Sequence, residues 1–490
     1  MGSMMSLMFA ERGIHIHFFD PSSTNEQELQ SRARDANLTN KITQHDDHAS
    51  LCSALGSPKV FIFSVPHGSV ADQSIDDLEP HLDQGDIILD GSNEYWANTE
   101  RRQARLAPKG VHFIGMGVSG GYQSARRSPS ISPGGSKEAL DFVFPFLEHF
   151  AAKDKLGRSC VAKLGPGGCG HYTKMVHNGI EQGLMSALCE VWGIMNAGLG
   201  MSFAEIADVF ESWNKDGLLA DNFLVGIGVE ICRTKDKSGE YVLANIRDKV
   251  VQDADDTEGT GIWTVEEGIR LHVPIPTIAA AHQFRVASAY AARREAVQKS
   301  LKDGAVQPRA FDGDDKVFDK KSFLRDLHDA TIFTFLMSFI QGMHLLARAN
   351  DKHDWRMDFQ SVLQIWRGGC IIQSDKIVDL LEQVYKHNCD SNNLLAHPQI
   401  ADALGKRFPA LKKVVVHALN ADCHVPTLAA SLEYYKYSGS TDLPTSFQEA
   451  ELDYFGNHKY DLKTEDPGEP VTGKHHFEWK PARGLVDEKR

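Results

Sequence analysis

The chain begins MGSMMSLMFAERG, residues 1–13, and continues IHIHFFD, residues 14–20. The first stretch is helix-like and is entered through glycine at position 2. The second is a short apolar, β-rich run that ends on Asp20. A helix entered through glycine, then a strand closed by an acid, is the back half of a dinucleotide-binding strand–helix–strand unit. Asp20 lies 18 residues (20 − 2) after Gly2, close to the spacing such units use. The front half would be a first strand and two earlier positions of a glycine loop. In a doubly wound sheet that strand is central, so its absence leaves a slot between its neighbours. The reading therefore expects the native protein to start upstream, with Met1 an internal methionine.

Outward from this stretch the alternation continues. KVFIFSV (59–65), GDIILDGS (85–92) and VHFIGMGVS (111–119) read as strands, and the segment 70–82 has helical character. Strand–helix alternation predicts a parallel sheet covered on both faces. From Gly170 the texture changes. HYTKMVHNGIEQGLMSALCEVWGIMNAGLG (171–200) and DLHDATIFTFLMSFIQGMHLLARAND (326–351) are long helical patterns, and strand candidates are scarce as far as Ser438. The expected architecture is an α/β Rossmann-like domain over 1–169, lacking its first strand, an all-α domain over 170–438, and a tail over 439–490. The tail is turn-rich with clustered aromatics, and is expected to pack on its own body or on a partner chain.

With 490 residues there is room for two or three domains. The net charge is −14, from 52 basic and 66 acidic residues, which argues against a nucleic-acid or anionic-membrane binder. The eight cysteines form neither CxxC nor CxxH, so they read as reduced thiols of a cytoplasmic protein, with no metal site. The beginning lacks a signal-peptide pattern. The apolar run Ile332–Leu346 is interrupted by Ser338, Gln341, Gly342 and His344, so it reads as a buried helix rather than a membrane span.

KMVHNGIE (174–181) carries the densest chemistry. On a helix Lys174, His177, Asn178 and Glu181 share one face, while Met175, Val176 and Ile180 point elsewhere. Such a face suits proton transfer and hydroxyl recognition. A solvated face with one Glu/Lys pair is the plainer reading of the spacing. The glycine-rich entry GPGGCGHY favours a site, because it lets other groups approach the helix start. GVSGG (117–121) and DGSN (90–93) both follow strands, where open α/β sheets bind ligands. WRGGC (366–370) reads as close helix packing.

Together these pieces resemble the 6-phosphogluconate dehydrogenase family. The resemblance runs through IILDGSNEYWANTERR, GMGVSGGYQSARRSPSISPGG, GHYTKMVHNGIEQG, GTGIWT, WRGGCIIQS and DYFGNHKY, in the family's order over nearly the whole chain. It implies oxidative decarboxylation of a sugar acid to a ketopentose in the pentose phosphate pathway, with NADP or NAD and without a metal. It implies Lys174 as the base at the C3 hydroxyl and Glu181 as the acid at C2. Asn93, Ser119, Gly120, Gly121, His177 and Asn178 match positions that hold the sugar acid. Gly2, Asp20, Val65, Pro66 and Asn93 match the cofactor side. It also implies a homodimer whose tails cross into the partner subunit.

Departures cluster where the family grips phosphate. Gln182 replaces a tyrosine, Glu258 a lysine and Leu452 an arginine, while Thr260, Arg285 and His458 are kept. Losing two hydrogen bonds to a charged group weakens phosphate binding by something on the order of 10²–10⁴-fold. Arg126 or Arg127 are the candidates to compensate. At the cofactor end, Asp20, Pro21 and Ser22 replace Asn-Arg-Thr, and Pro66 replaces a lysine. A carboxylate accepts from a free ribose 2′-OH and repels a 2′-phosphate, so Asp20 leans towards NAD. An aspartate that only begins a turn is the competing reading. Two alternatives follow: a paralogue oxidising an unphosphorylated aldonate with NAD, and a truncated, non-catalytic family member.

Overall fold

Short β-branched runs closed by Gly, Pro or Asp become strands, each followed by a helix, through the first third of the chain. The computed structural model describes residues 1–250, 259–301, 306–311, 319–387, 389–468 and 473–481. The elements of this region are α1 Gly2–Glu11, β1 Ile16–Phe18, α2 Ser23–Asp35, β2 Ile42–Gln44, α3 His48–Ser53, β3 Val60–Phe63 and α4 Ser69–Leu78. Then come β4 Ile87–Asp90, α5 Trp96–Leu106, β5 His112–Ser119, α6 Gly121–Arg127, β6 Ser130–Gly134 and α7 Lys137–Phe150. Strands β4 and β5 are buried almost throughout, as strands covered on both faces must be.

The sheet is divided. β1 pairs with β2, and β3–β4–β5–β6 form a separate four-stranded sheet. No ladder joins β1 to β3 among the described residues, which is where the sequence reading expected a slot. Helix α1 begins there. A Cβ on Gly2 would stand 3.0 Å from the Cβ of Ser64, just past the end of β3. Six of the ten residues of α1 are buried, and Phe9 packs its ring edge-on at 4.6 Å from that of Phe150 on α7. The expected parallel sheet gains an antiparallel edge strand, β6, paired with β5. Neither β2 nor β6 was legible: β2 is Ile-Thr-Gln, with a single apolar residue, and β6, Ser-Ile-Ser-Pro-Gly, carries a proline and a glycine, which strands disfavour.

The rest is helical: α8 Cys169–Gly193, α9 Phe203–Trp213, α10 Phe223–Arg233, α11 Thr260–Arg270, α12 Pro276–Ala289, α13 Ala291–Leu301 and α14 Lys320–His353. Then follow α15 Phe359–Ile365, α16 Asp375–Lys386, α17 Pro398–Gly405, α18 Phe408–Asn420, α19 Pro426–Ser438 and α20 Thr445–Gly456. α14 is long and apolar enough to cross a membrane, but its apolar window is wholly buried in protein. It crosses α8 closely: a Cβ on Gly342 would lie 2.5 Å from Ile180, and one on Gly183 would strike Ser338. WRGGC is a turn after α15, not helix packing. Its Gly369 has φ +69° and presses on the start of β6, and its carbonyl accepts from Ser130 N at 3.0 Å.

Met1–Leu432 form one compact unit and Glu433–Arg490 a second. The second contains α20, so part of the turn-rich tail is helix. Its hub is Asp453, whose carboxylate accepts from Lys459 N, Phe477 N and Trp479 Nε1 and pairs with His476 Nδ1 at 2.9–3.1 Å.

Candidate active site

Helix α8 reaches the sheet because it starts on glycines. A Cβ on Gly170 would collide with the carbonyl of Gly115 and the amide of Gly134, so backbone lies on backbone there. One turn on, Lys174 arrives at the carboxyl end of β5, where ligands of open α/β sheets bind. Its Nζ donates to Ser119 Oγ at 3.0 Å and to Asn178 Oδ1 at 2.8 Å. Asn178 Nδ2 donates to Thr260 Oγ1 at 3.0 Å.

His177 Nδ1 lies 3.0 Å from the same Asn178 oxygen. An amide oxygen only accepts, so the hydrogen-bond pattern assigns the proton to Nδ1. Nε2 is then a buried acceptor with no hydrogen-bond partner. Burial first, and then the charge of Lys174, hold His177 well below the usual imidazole range, against the opposing bond to Asn178. The ring is neutral at neutral pH. Glu181 Oε2 stands 3.7 Å from His177 Nδ1. The four residues expected on one face thus stand together, joined by Ser119 and Thr260.

One turn further, Gln182 Oε1 lies 3.1 Å from Nδ1 of His282 on α12, and both side chains are buried. Arg285 sits one turn along α12, part-exposed. The sequence reading missed His282, although the apolar register of α12 through Ile278 and Ala281 runs into it. Gly120 and Gly121 both have positive φ, +97° and +64°. A Cβ on Gly120 would collide with the carbonyl of Gly369, so the GVSGG and WRGGC turns interlock.

The strand-end loops are tied by Arg102, also missed. Its guanidinium bonds Glu94 at 2.6 Å, Asp72 at 2.9 Å and the carbonyl of Gly68 at 2.8 Å, and Asp90 is 3.5 Å away. Burial pushes the Glu94 carboxyl up, but bonds from Asn98, Gly68 and Arg102 outweigh it and hold it below the usual range. An arginine in register with Trp96, Thr99 and Leu106 was the available signal. Asn93 lies part-exposed on the loop that this network fixes, Val65 packs under the other loop, and Pro66 is exposed.

The residues fit a dinucleotide at two points. At α1 no side chain caps the first turn, and Gly2 leaves no Cβ in the gap beside Ser64. Asp20 accepts from Ser22 N at 2.9 Å and from Asn25 Nδ2 at 3.1 and 3.3 Å. It therefore does shape the turn into α2, and a carboxylate still has acceptor capacity beyond three bonds. Arg126 is held by Glu11 on α1 in a bidentate pair. Arg127 is exposed, its carbonyl taken by Arg12. Glu258 lies outside the described residues, and Leu452 and His458 belong to the second unit. Among the described residues no three His, Cys, Asp or Glu side chains form a metal-binding group.

Residues 170–479 match the C-terminal domain model of 6-phosphogluconate dehydrogenase, and residues 1–165 match the NAD binding domain model of the same enzyme. The chain belongs to the 6-phosphogluconate dehydrogenase family. The decarboxylating 6-phosphogluconate dehydrogenase of Emericella nidulans is 45% identical over 501 residues, covering 99% of this chain and 100% of that one. The enzyme of the same name from Lactococcus lactis subsp. lactis is 35% identical, covering 98% and 96%. Among solved structures, 6-phosphogluconate dehydrogenase of Plasmodium falciparum superposes with a TM-score of 0.87 at 31% identity, covering 98% of each chain. Its cofactor is NADP+ and its substrate 6-phosphogluconate. The Rossmann-like domain followed by a large helical domain, expected from the sequence, is the family's architecture.

Proposed function

We propose that the chain oxidises and decarboxylates a sugar acid of the 6-phosphogluconate type to a ketopentose, as a step of the pentose phosphate pathway. The observation that carries this is the placement of Lys174 Nζ between Ser119 Oγ and Asn178 Oδ1 at the strand ends, 3.0 and 2.8 Å away. A bound NAD(P) supplies the nicotinamide that accepts hydride from C3. Lys174, once its ammonium has given up a proton, takes the C3 hydroxyl proton. As an ammonium it then donates to the new C3 carbonyl oxygen. That polarisation lets the C1–C2 bonding pair move towards C3 oxygen as carbon dioxide leaves. Lys174 returns its proton to that oxygen, giving the enediol. Glu181 protonates C2, the enediol hydroxyl gives its proton back to Lys174, and the ketone forms.

Neutral His177 offers Nε2 as an acceptor for a substrate hydroxyl, beside Asn93, Ser119, Gly120, Gly121 and Asn178. Gln182, Thr260 and Arg285 take the far end. Gly2, Asp20, Val65 and Pro66 line the cofactor side. The test is turnover of 6-phosphogluconate and gluconate, each with NAD and NADP. Product in one combination, lost at least 10³-fold in Lys174→Ala, is expected. No product in any combination would refute the reading.

A second reading, oxidation of an unphosphorylated aldonate with NAD, is favoured by Asp20 and by Gln182 facing His282. NAD-linked turnover of gluconate exceeding NADP-linked turnover of 6-phosphogluconate would establish it. The functional parts are 1–169, 170–438 and a tail, 439–490, that reaches the partner of a cytoplasmic homodimer. Exposed Phe447, Tyr454 and Phe455 on α20 support the tail's role, and eight unpaired cysteines support a reducing compartment. Truncation after Ser438 should abolish dimers in sedimentation. A truncated chain that still dimerises would overturn that part.

A further inference from the structure

A net charge of −14 leaves room for a local excess of the opposite sign, and one cleft has it. Its volume is about 400 Å³. It is lined by Arg270, Leu271 and His272 at the end of α11 and by Arg348, Asp351 and Lys352 near the end of α14. Leu271 is buried. Around it stand three permanent cations and an imidazole against one carboxylate, and that carboxylate, Asp351, already accepts from Asn392 Nδ2 at 3.0 Å. Among the described residues Arg348 and Lys352 have no ion-pair partner, and the partner of Arg270, Glu267 Oε1, is distant at 3.6 Å.

Cations in a helix's last turn complement the helix dipole, which accounts for Arg270 on α11 and Lys352 on α14. The effect falls off within that turn, so it does not account for Arg348. Arg348 and Lys352 stand four residues apart, where like charges repel on a helix, and Arg270 brings a third charge from α11. A compact anion with several charges relieves that repulsion and gives each cation a charge-assisted bond. A singly charged anion gains little at exposed cations.

The cleft also connects inward. Glu267 is buried, and its Oε1 accepts from Tyr95 Oη at 3.1 Å, while Tyr172 Oη lies 3.5 Å from Oε2. Tyr95 comes two residues after Asn93 on the strand-end loop, and Tyr172 two residues before Lys174 on α8. Arg270 is the cation beside this clamp. An anion that draws Arg270 to itself removes that charge from a buried carboxylate.

We propose that this cleft is a second anion site, separate from the Lys174 site and built for a polyphosphate group, and that filling it slackens the Glu267 clamp on Tyr95 and Tyr172. The first half stands on the cleft alone. The second rests on the chemistry proposed for Lys174.

The test titrates the full chain in a calorimeter with sodium tripolyphosphate and, separately, with ATP. Binding should persist in Lys174→Ala. It should weaken at least tenfold in the double variant Arg348→Gln/Lys352→Gln, about what one charge-assisted bond contributes. Both side chains are exposed, so the thermal transition should stay in place. The control Lys237→Gln/Lys412→Gln removes two other exposed cations and should leave binding unchanged. Equal affinity for the two ligands assigns the site to the polyphosphate group itself, and tighter binding of ATP adds a nucleoside contact; either supports the cleft. No binding, an unchanged affinity in the double variant, or an equal loss in the control would overturn the first half. With 6-phosphogluconate or gluconate, whichever the wild type turns over, tripolyphosphate should raise KM at least fivefold more in wild type than in the double variant. An equal rise in both means that the anion only competes at the Lys174 site, and overturns the second half. If the wild type turns over neither acid, the Lys174 chemistry and the second half fall together, while calorimetry still decides the first.

Discussion

Replacing Gly179 by alanine should separate activity from stability. Gly179 follows Asn178 on α8 and faces Thr264 on α11. A Cβ there would stand 2.5 Å from Thr264 Cγ2, and ordinary contact needs 3.4 Å, so 3.4 − 2.5 = 0.9 Å must be found. Thr264 cannot simply rotate, because its Oγ1 shares its one proton between the carbonyls of Met175 and Thr260, 2.9 and 2.8 Å away. The first turns of α11 must therefore move. If Thr260 moves with them, its 3.0 Å bond from Asn178 stretches towards 3.0 + 0.9 = 3.9 Å and is lost. Two effects on stability oppose each other. Alanine in mid-helix gains about 1 kcal/mol over glycine, and overpacking costs about 1–3 kcal/mol. The net is a loss of about 0–2 kcal/mol in urea denaturation. Activity has no such compensation: a misplacement of about 1 Å costs up to about 10²-fold, so kcat/KM should fall about 10–10²-fold. Gly193→Ala is the control, since nothing lies within 4 Å of its Cβ. It should gain up to about 1 kcal/mol with activity unchanged. If Gly179→Ala gained stability like Gly193→Ala and kept kcat/KM within threefold, the claim that α8 and α11 are in fixed register at Thr264 would be wrong.

Arg102→Met leaves the buried carboxylates of Asp90 and Glu94 without their cation, while Asp72 keeps Arg101, and should cost about 3–5 kcal/mol in chemical denaturation. A loss under 1 kcal/mol would mean those carboxyls are rescued by water. Glu190 on α8 accepts from Thr427 N and Leu428 N at the start of α19, and burial pushes it up to about 7 from 4.5. Between those pH values the folded chain holds a proton that the unfolded chain has released, so stability should fall as pH rises, by about 3 kcal/mol in total. In Glu190→Gln that slope should vanish; a slope equal to wild type would assign the dependence elsewhere. Asp453→Ala removes the hub of the second unit, and limited proteolysis should cut the tail faster while the main thermal transition stays in place. Equal cleavage rates would show that the hub is dispensable.

The fold was legible where one short pattern carries it. Runs such as IIL and FIGMGV are short, apolar and bounded by Gly or Asp, as strands covered on both faces are, and the glycine-punctuated run from His171 announced the helical domain. β2 and β6 were not legible, since ladder pairing rather than side-chain alternation makes them strands. WRGGC was misread because two adjacent glycines in an apolar run look alike whether they serve a helix crossing or a turn against a strand. Gly369 is needed for its positive φ and for its carbonyl on Ser130, both tertiary facts. Asp20 was read as a cofactor residue with turn formation as the rival, and it does form the turn.

The sequence alone determined which residues share the face of α8, because helical periodicity is local and Lys174, His177, Asn178 and Glu181 obey it wherever the helix lies. It also determined the family, because ordered motifs survive over nearly the whole chain. Tertiary structure alone decided what that face meets. Ser119, Thr260 and His282 lie 55, 82 and 100 residues away along the chain from their partners, and close glycine contacts bring them in. Protonation was likewise a tertiary outcome: His177 is neutral because packing strips its water and sets it beside Lys174. Local sequence specifies the spacing of chemical groups. Only burial and long-range contact specify their partners and their charge.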